Sequence, residues 1–303
     1  MEKTVVFGGT GLVGSHLKAD LKPGRDEVDL LDIDSIRQFF AENEFDTIVN
    51  CAGNVGGLGK NMSKNLEMFI SNMEMNMNLF KVMMENPHKV KKTIVFLSTC
   101  IFPDNVEYPL TEDKLHLGPP HDSNKGYAYA KRMTQVMADL MNESGKYGKI
   151  ITVIPTNLYG PGDNFSKTEG HVIPSLIAKA YEAKQCGIPL VVWGDGSPLR
   201  EFLYVEDVAD IIQIILNEHE STEPLILSHG HETSIGEAVQ HIMNYTGVGD
   251  VSFDVEKPNG QERKPSDPSA LMNIIGDFHF TPLHEGIRKT VKFFEENYPD
   301  VRL

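Results

Sequence analysis

Tyr127 and Lys131 stand four positions apart in Tyr127-Ala128-Tyr129-Ala130-Lys131, at the opening of a segment with helical patterning. That spacing puts both side chains on one helix face, whereas Tyr129, two positions from Lys131, points elsewhere. A free phenol, with a pKa of about 10, is a poor acid–base catalyst near neutrality. An ammonium beside it favours the phenolate and should lower that pKa. The pair therefore reads as a device for moving a proton at an oxygen. A Tyr-x-x-x-Lys spacing is common by chance, so its context matters. Ser98 ends the apolar run Thr93–Ser98, and a hydroxyl at a strand's C-terminal edge can donate to a developing alkoxide.

Cys100 follows on the same strand-end loop, and His171 opens a later helical segment. Free thiols and imidazoles titrate at about 8.5 and 6.5, close enough to neutrality to exchange protons. On the residues alone, Cys100 is a proton carrier or a buried structural thiol, and His171 a base or a local helix-start contact. Trp193, beside Gly194-Asp195-Gly196, is a core aromatic or a cover for a sugar or base. Arg200 is a planar fork for a diphosphate or a salt-bridge partner of Glu201 or Asp207.

A second constellation lies at the other end of the chain. The first apolar run is followed by Gly8-Gly9-Thr10-Gly11-Leu12-Val13-Gly14 and then a helical pattern. Glycines there let the backbone turn tightly and approach a pyrophosphate. The motif is weak alone and strong between an N-terminal strand and a helix. Arg25 arrives before Asp29 and Asp32, so a 2′-phosphate clamp selecting NADP is expected over a carboxylate on the ribose hydroxyl.

These groups need a scaffold. Strands are expected over Thr4–Gly8, Thr47–Cys51, Thr93–Ser98, Ile150–Pro155, Leu190–Trp193 and Pro224–Ser228. Helices are expected over Gly11–Leu21, Ser35–Glu42, Asn65–Glu85 and Ala128–Asn142. Near-continuous apolar strands alternating with helices predict an α/β fold, a doubly wound parallel Rossmann sheet with a smaller C-terminal α/β substrate lobe. We expect residues 1–157 plus about 203–228 in the cofactor-binding domain, and about 158–202 plus 229–303 in the substrate domain. The Met-rich stretch Met68–Met84 suits a core or dimer-facing helix.

The formal net charge of −15 argues against nucleic acid as a partner, which needs clustered cations. The apolar runs are too short to span a membrane. Three scattered cysteines and an apolar strand directly after Met1-Glu2-Lys3 suggest a reducing, cytoplasmic setting. No metal-ligand spacing is present.

Leu97–Pro103, Gly118–Asn124, Pro155–Pro161, Gly170–Pro174 and Arg200–Phe202 together resemble the extended short-chain dehydrogenase/reductases, and within them the GDP-L-fucose synthases. The likeness spans nearly the whole chain. It implies NADPH as cofactor, a GDP-linked 4-keto-6-deoxy sugar as substrate, epimerisation at two carbons, then reduction of the ketone, in a homodimer. It implies a reductase triad of Ser98, Tyr127 and Lys131, with Cys100 and His171 as epimerisation acid and base. Cofactor contacts are implied at the glycine turn, at Arg25 and Asp26, at Leu97, at Pro155, Asn157 and Leu158, and at His171. Substrate contacts are implied at Lys179, Trp193 and Arg200, and at Asn259, where the pattern has an aspartate. The segment between Gly14 and Arg25 is shorter than the pattern, so the first helix or second strand is expected to be trimmed.

Overall fold

A computed structural model describes residues 3–303. Five strands, Thr4–Phe7, Thr47–Asn50, Lys92–Phe96, Lys149–Pro155 and Leu225–Leu227, form one parallel sheet. Successive side chains of a strand point to opposite faces, so each strand feeds two cores. Val5, Phe7, Ile48 and Val95 pack with Phe40, Leu79 and Phe80. Val6, Val49, Ile94, Ile151 and Val153 pack with Val208, Ile211 and Ile212. Two apolar faces covered by helices make this the doubly wound α/β fold that the alternation predicts.

The expected helix Gly11–Leu21 is much shorter, covering only Leu12–His16. The chain then runs extended to Leu21, which pairs with Val5 in a one-residue parallel bridge. Val6 N–H donates to the Leu21 carbonyl at 2.9 Å, and Leu21 N–H to the Thr4 carbonyl at 3.1 Å. Pro23 lacks an N–H with which to extend the ladder. Both the first helix and the second strand are thus trimmed, and Arg25 follows almost at once.

Two long helices, Asn65–Glu85 and Lys125–Ser144, pack against each other on one face of the sheet. Their close approach at Gly126 is compulsory for glycine, since a Cβ there would lie 2.2 Å from the Asn65 carbonyl oxygen. Gly126 N–H also donates to Asn65 Oδ1 at 2.5 Å. This contact fixes the start of the helix that carries Tyr127 and Lys131.

After the fourth strand the chain enters a second lobe. Its core gathers Tyr159, Phe165, Phe202, Tyr204 and Phe294 among the helices Val172–Cys186, Ile235–Thr246 and Leu283–Asn297. The strand Leu190–Trp193 pairs with Val251–Asp254 there, outside the main sheet. Buried Glu201 ties the lobe to the sheet edge, accepting from Ser228 Oγ at 3.0 Å and from Ser266 N–H at 3.1 Å. Among the described residues no helix is long and apolar enough to cross a membrane, and no cluster of metal-ligating side chains is present.

Candidate active site

A cavity of about 1180 Å³ opens between the C-terminal ends of the sheet strands and the second lobe. Ligands of open α/β sheets bind in this crevice. At one end lies the glycine turn. Gly8 has φ of +81°, and a Cβ there would fall 2.7 Å from Ala52 N, so the turn can sit on the neighbouring strand end only as glycine. A Cβ on Gly14 would fall 2.3 Å from the Gly8 carbonyl oxygen. Gly8, Thr10, Gly11, Leu12, Val13 and Gly14 line the cavity. Gly9 does not: it faces away, against the Lys22 side chain. Asp26 is also off the cavity wall, its carboxylate turned toward Gly24. Arg25 does line it, mostly exposed and paired with Asp29 at 3.3 Å.

The chemistry-bearing groups gather further in. Ser98 is extended and caps the short turn Thr99–Ile101, its hydroxyl accepting from Cys100 N–H at 3.3 Å. Arg132, one residue beyond Lys131, staples that turn to the Tyr127 helix. Its Nε donates to the Ile101 carbonyl at 2.5 Å and its Nη1 to the Gly118 carbonyl at 2.7 Å. The Ser98 hydroxyl lies near enough to the Tyr127 phenol to favour its ionised form, and Cys100 near enough to oppose it.

The expected effect of Lys131 on Tyr127 is overturned. Burial, joined by Cys100, pushes the phenol above its usual pKa, against the nearby Ser98 hydroxyl. The Lys131 ammonium donates to the Phe96 carbonyl at 2.8 Å and sits 5.9 Å from the Tyr127 ring centroid. Burial also lowers Lys131 itself, to about 8, with Cys51 opposing. Desolvation therefore outweighs the attraction between the pair, and Tyr127 is a neutral donor.

Arg200 lines the same region and pairs with neither Glu201 nor Asp207. Those carboxylates are held by Ser266 and Thr281. Burial lowers Arg200, with Cys100 and Glu232 opposing. Lys264 lies beside it, its ammonium reaching the Thr99 carbonyl at 3.3 Å and its pKa lowered by burial. The motifs did not single out Lys264, because it stands in the Gly/Pro-rich stretch 257–269, which carries no element signal.

Leu97, Pro155, Asn157 and Leu158 line the cavity from the strand ends. His171 lines another wall, keeping surface open to the cavity while crowded by protein. Burial first, then Arg302 and Lys60, hold its pKa below the usual imidazole value. Its charged neighbours are thus not those of Cys100. At the mouth, Trp193 is 48% exposed, which removes the core reading. The Lys179 ammonium lies 5.3 Å and the Lys257 ammonium 5.7 Å from its ring centroid. Asn259 Oδ1 accepts from Asp195 N–H at 2.9 Å, which orients its amide in the wall.

The long cavity, the side-chain-free turn, and two buried wall oxygens without protein partners, Thr156 Oγ1 and Asp163 Oδ2, fit a dinucleotide joined by a second polar ligand.

Comparison with known proteins agrees with this geometry. The model of the NAD dependent epimerase/dehydratase family matches residues 4–236. GDP-L-fucose synthase of Dictyostelium discoideum is 38% identical, covering 98% of this chain and 97% of its own. That of Escherichia coli (strain K12) is 34% identical, covering 98% and 97%. A crystal structure of a GDP-L-fucose synthetase from Naegleria fowleri bound to NADP superposes with a TM-score of 0.93. It is 39% identical and covers 100% of this chain and 95% of its own.

Proposed function

From the premise that this chain belongs to the NAD dependent epimerase/dehydratase family, we propose that it is an NADPH-dependent epimerase-reductase. It converts GDP-4-keto-6-deoxy-D-mannose to GDP-L-fucose. The observation that carries this reading is the meeting of Ser98, Cys100 and Tyr127 in one cavity with the glycine turn. The full-length likeness to GDP-L-fucose synthases narrows the substrate.

When bound, the cofactor supplies the hydride for the sugar's C4 ketone. Tyr127 gives the C4 oxygen its proton, and Ser98 shares the charge on that oxygen through a second hydrogen bond. Lys131, anchored on Phe96, holds positive charge beneath the site. Protons on the carbons beside a ketone are acidic because the enolate charge rests on that same oxygen. His171, kept neutral by its surroundings, takes a proton from one face, and Cys100 returns one to the other. Arg25 faces the cofactor's 2′-phosphate. Arg200 and Lys264 take the sugar diphosphate, while Trp193, Lys179 and Asn259 border the nucleotide end.

Residues 1–157 with about 203–228 make the cofactor domain in this reading, and the remainder the substrate domain. Two copies pair through the helices Asn65–Glu85 and Lys125–Ser144, which leave Leu66, Ile70, Met133 and Leu140 exposed. Purified protein mixed with NADPH and GDP-4-keto-6-deoxymannose tests the activity by identification of the sugar formed. The expected product is GDP-L-fucose; no oxidation of NADPH would leave only a silent cofactor-binding protein.

A further inference from the structure

Two charged side chains of the cavity wall, Asp163 and Arg302, have no part in the chemistry above. Asp163 is 3% exposed. Its Oδ1 accepts from Asn164 N–H at 2.7 Å, while its Oδ2 is buried with no hydrogen-bond partner. A bare buried carboxylate oxygen is costly, and it points to a donor supplied from outside the protein. Burial raises this carboxyl to about 7, against the Asn164 bond and the charge of Arg302.

The main chain at Arg302 is held in place, while its side chain is exposed. Its carbonyl accepts from Phe165 N–H at 2.8 Å, and Val301 rests on the aromatic core of the second lobe. Among the described residues its guanidinium forms no ion pair, and the residue lines the cavity. The place of the pair along the cavity follows from its neighbours. Gly162 abuts Ser15, in the helix that follows the glycine turn, with 3.8 Å between a Cβ built on Gly162 and Ser15 Oγ. On the other side the charge of Arg302 reaches His171. Asp163 and Arg302 therefore lie between the glycine turn and His171.

A ligand segment passing there meets a cation that wants a charged acceptor and a carboxyl oxygen that wants a donor. A phosphate adjoining a sugar hydroxyl offers both, and the middle of a dinucleotide contains that unit. We propose that Arg302 and Asp163 form a second clasp on the cofactor, across from the glycine turn. The guanidinium takes the diphosphate on its nicotinamide side, and Asp163 Oδ2 takes a hydroxyl of the ribose beyond it. This rests on the NADP reading of the cavity.

The test is NADPH affinity by fluorescence titration for the wild type, Arg302→Gln and Asp163→Asn, with adenosine 2′,5′-bisphosphate as a control probe that lacks the nicotinamide-side phosphate and ribose. Arg302→Gln should raise the NADPH Kd about tenfold, the loss of one charge-assisted contact. The loss should shrink at high salt, and the control probe should bind as before. Asp163→Asn should weaken NADPH about threefold or more, again sparing the control. Unchanged NADPH affinity in Arg302→Gln, or equal weakening of both ligands, overturns the clasp. Should Asp163→Asn fail to fold, the Arg302 arm decides. A wild-type protein that binds no NADPH would instead defeat the cofactor reading itself.

Discussion

Lys131 donates its ammonium to the main-chain carbonyl of Phe96 at 2.8 Å, and both groups are buried under the cavity floor. Phe96 ends the strand Lys92–Phe96, two residues before Ser98, so one hydrogen bond fastens the helix of Tyr127 and Lys131 to the strand that leads to Ser98. The bond spends a donor of Lys131 on the scaffold, on the cavity wall that Ser98 and Tyr127 share.

That burial has a stability consequence. Lys131 is 3% exposed, and its pKa is lowered from 10.5 to about 8. A lysine depressed in the folded state imposes its full penalty below the folded pKa. The penalty fades as pH rises from there to the unfolded value. We predict that Lys131→Met abolishes most turnover yet melts higher than wild type at pH 7, by roughly 1–2 kcal/mol after the Phe96 carbonyl loses its donor. The gap should narrow between pH 8 and 10.5. A variant that melts lower than wild type at pH 7 would mean the Phe96 bond outweighs the buried charge.

For Tyr127→Phe we predict unchanged NADPH affinity and a loss of reduction of about 10²–10⁴, the usual size of a missing general acid. Because Tyr127 is pushed up, the wild-type rate should show no alkaline fall from phenol ionisation near neutrality. Near-normal turnover by the variant would transfer the proton donation to another group.

The readable parts of this site are those whose geometry is local. A glycine turn between a strand and a helix, a Tyr-x-x-x-Lys pair on one helix face, and a serine at a strand end each carry their placement in a few consecutive residues. The sheet was equally legible, since strands buried on both faces cannot disguise their apolar runs. Lys264, Asp163 and Arg302 were not, because loops and chain segments distant in sequence bring them to the cavity. Lys264 reaches a carbonyl 165 residues away. The shortened first helix was half legible: the trimming was visible in the spacing, and Lys22-Pro23-Gly24 marks where the ladder stops. The phenol's raised pKa was beyond reach, since spacing reports a partner and not its depth.

We propose that cofactor choice turns on Arg25, at the far end of the cavity. Arg25 and Asp29 pair at 3.3 Å on an exposed surface, where such a pair is worth little. The guanidinium can therefore be drawn to a 2′-phosphate without a large loss. We predict that Arg25→Ala raises the Michaelis constant for NADPH about tenfold and leaves that for NADH unchanged. Equal responses to both cofactors in Arg25→Ala would make this arginine structural.

In the proposed mechanism epimerisation and reduction use different proton carriers, and the two candidate residues have different surroundings. Cys100 sits within the field of Tyr127, Arg200 and Lys264, while His171 answers to Arg302 and Lys60. We predict that Cys100→Ser, which keeps the size but raises the carrier's pKa far above neutrality, loses most deuterium uptake from heavy water into the sugar ring. Hydride transfer should survive in part, so some product is the unepimerised D-configured 6-deoxy sugar. His171→Gln cannot ionise and should also lose exchange. Lying on the cofactor-facing wall, it should lose more reduction than the cysteine variant does. Since its surroundings lower His171, wild-type exchange should persist to lower pH than a free imidazole allows, falling only once the ring is protonated. Mass spectrometry of the sugar across pH 5 to 8 reads exchange, and NADPH absorbance reads reduction. Wild-type deuterium incorporation and normal fucose output from Cys100→Ser would remove the thiol from the mechanism. The proton would then have to come from another group on that side, and Lys264, within reach of Thr99, would be the next to substitute.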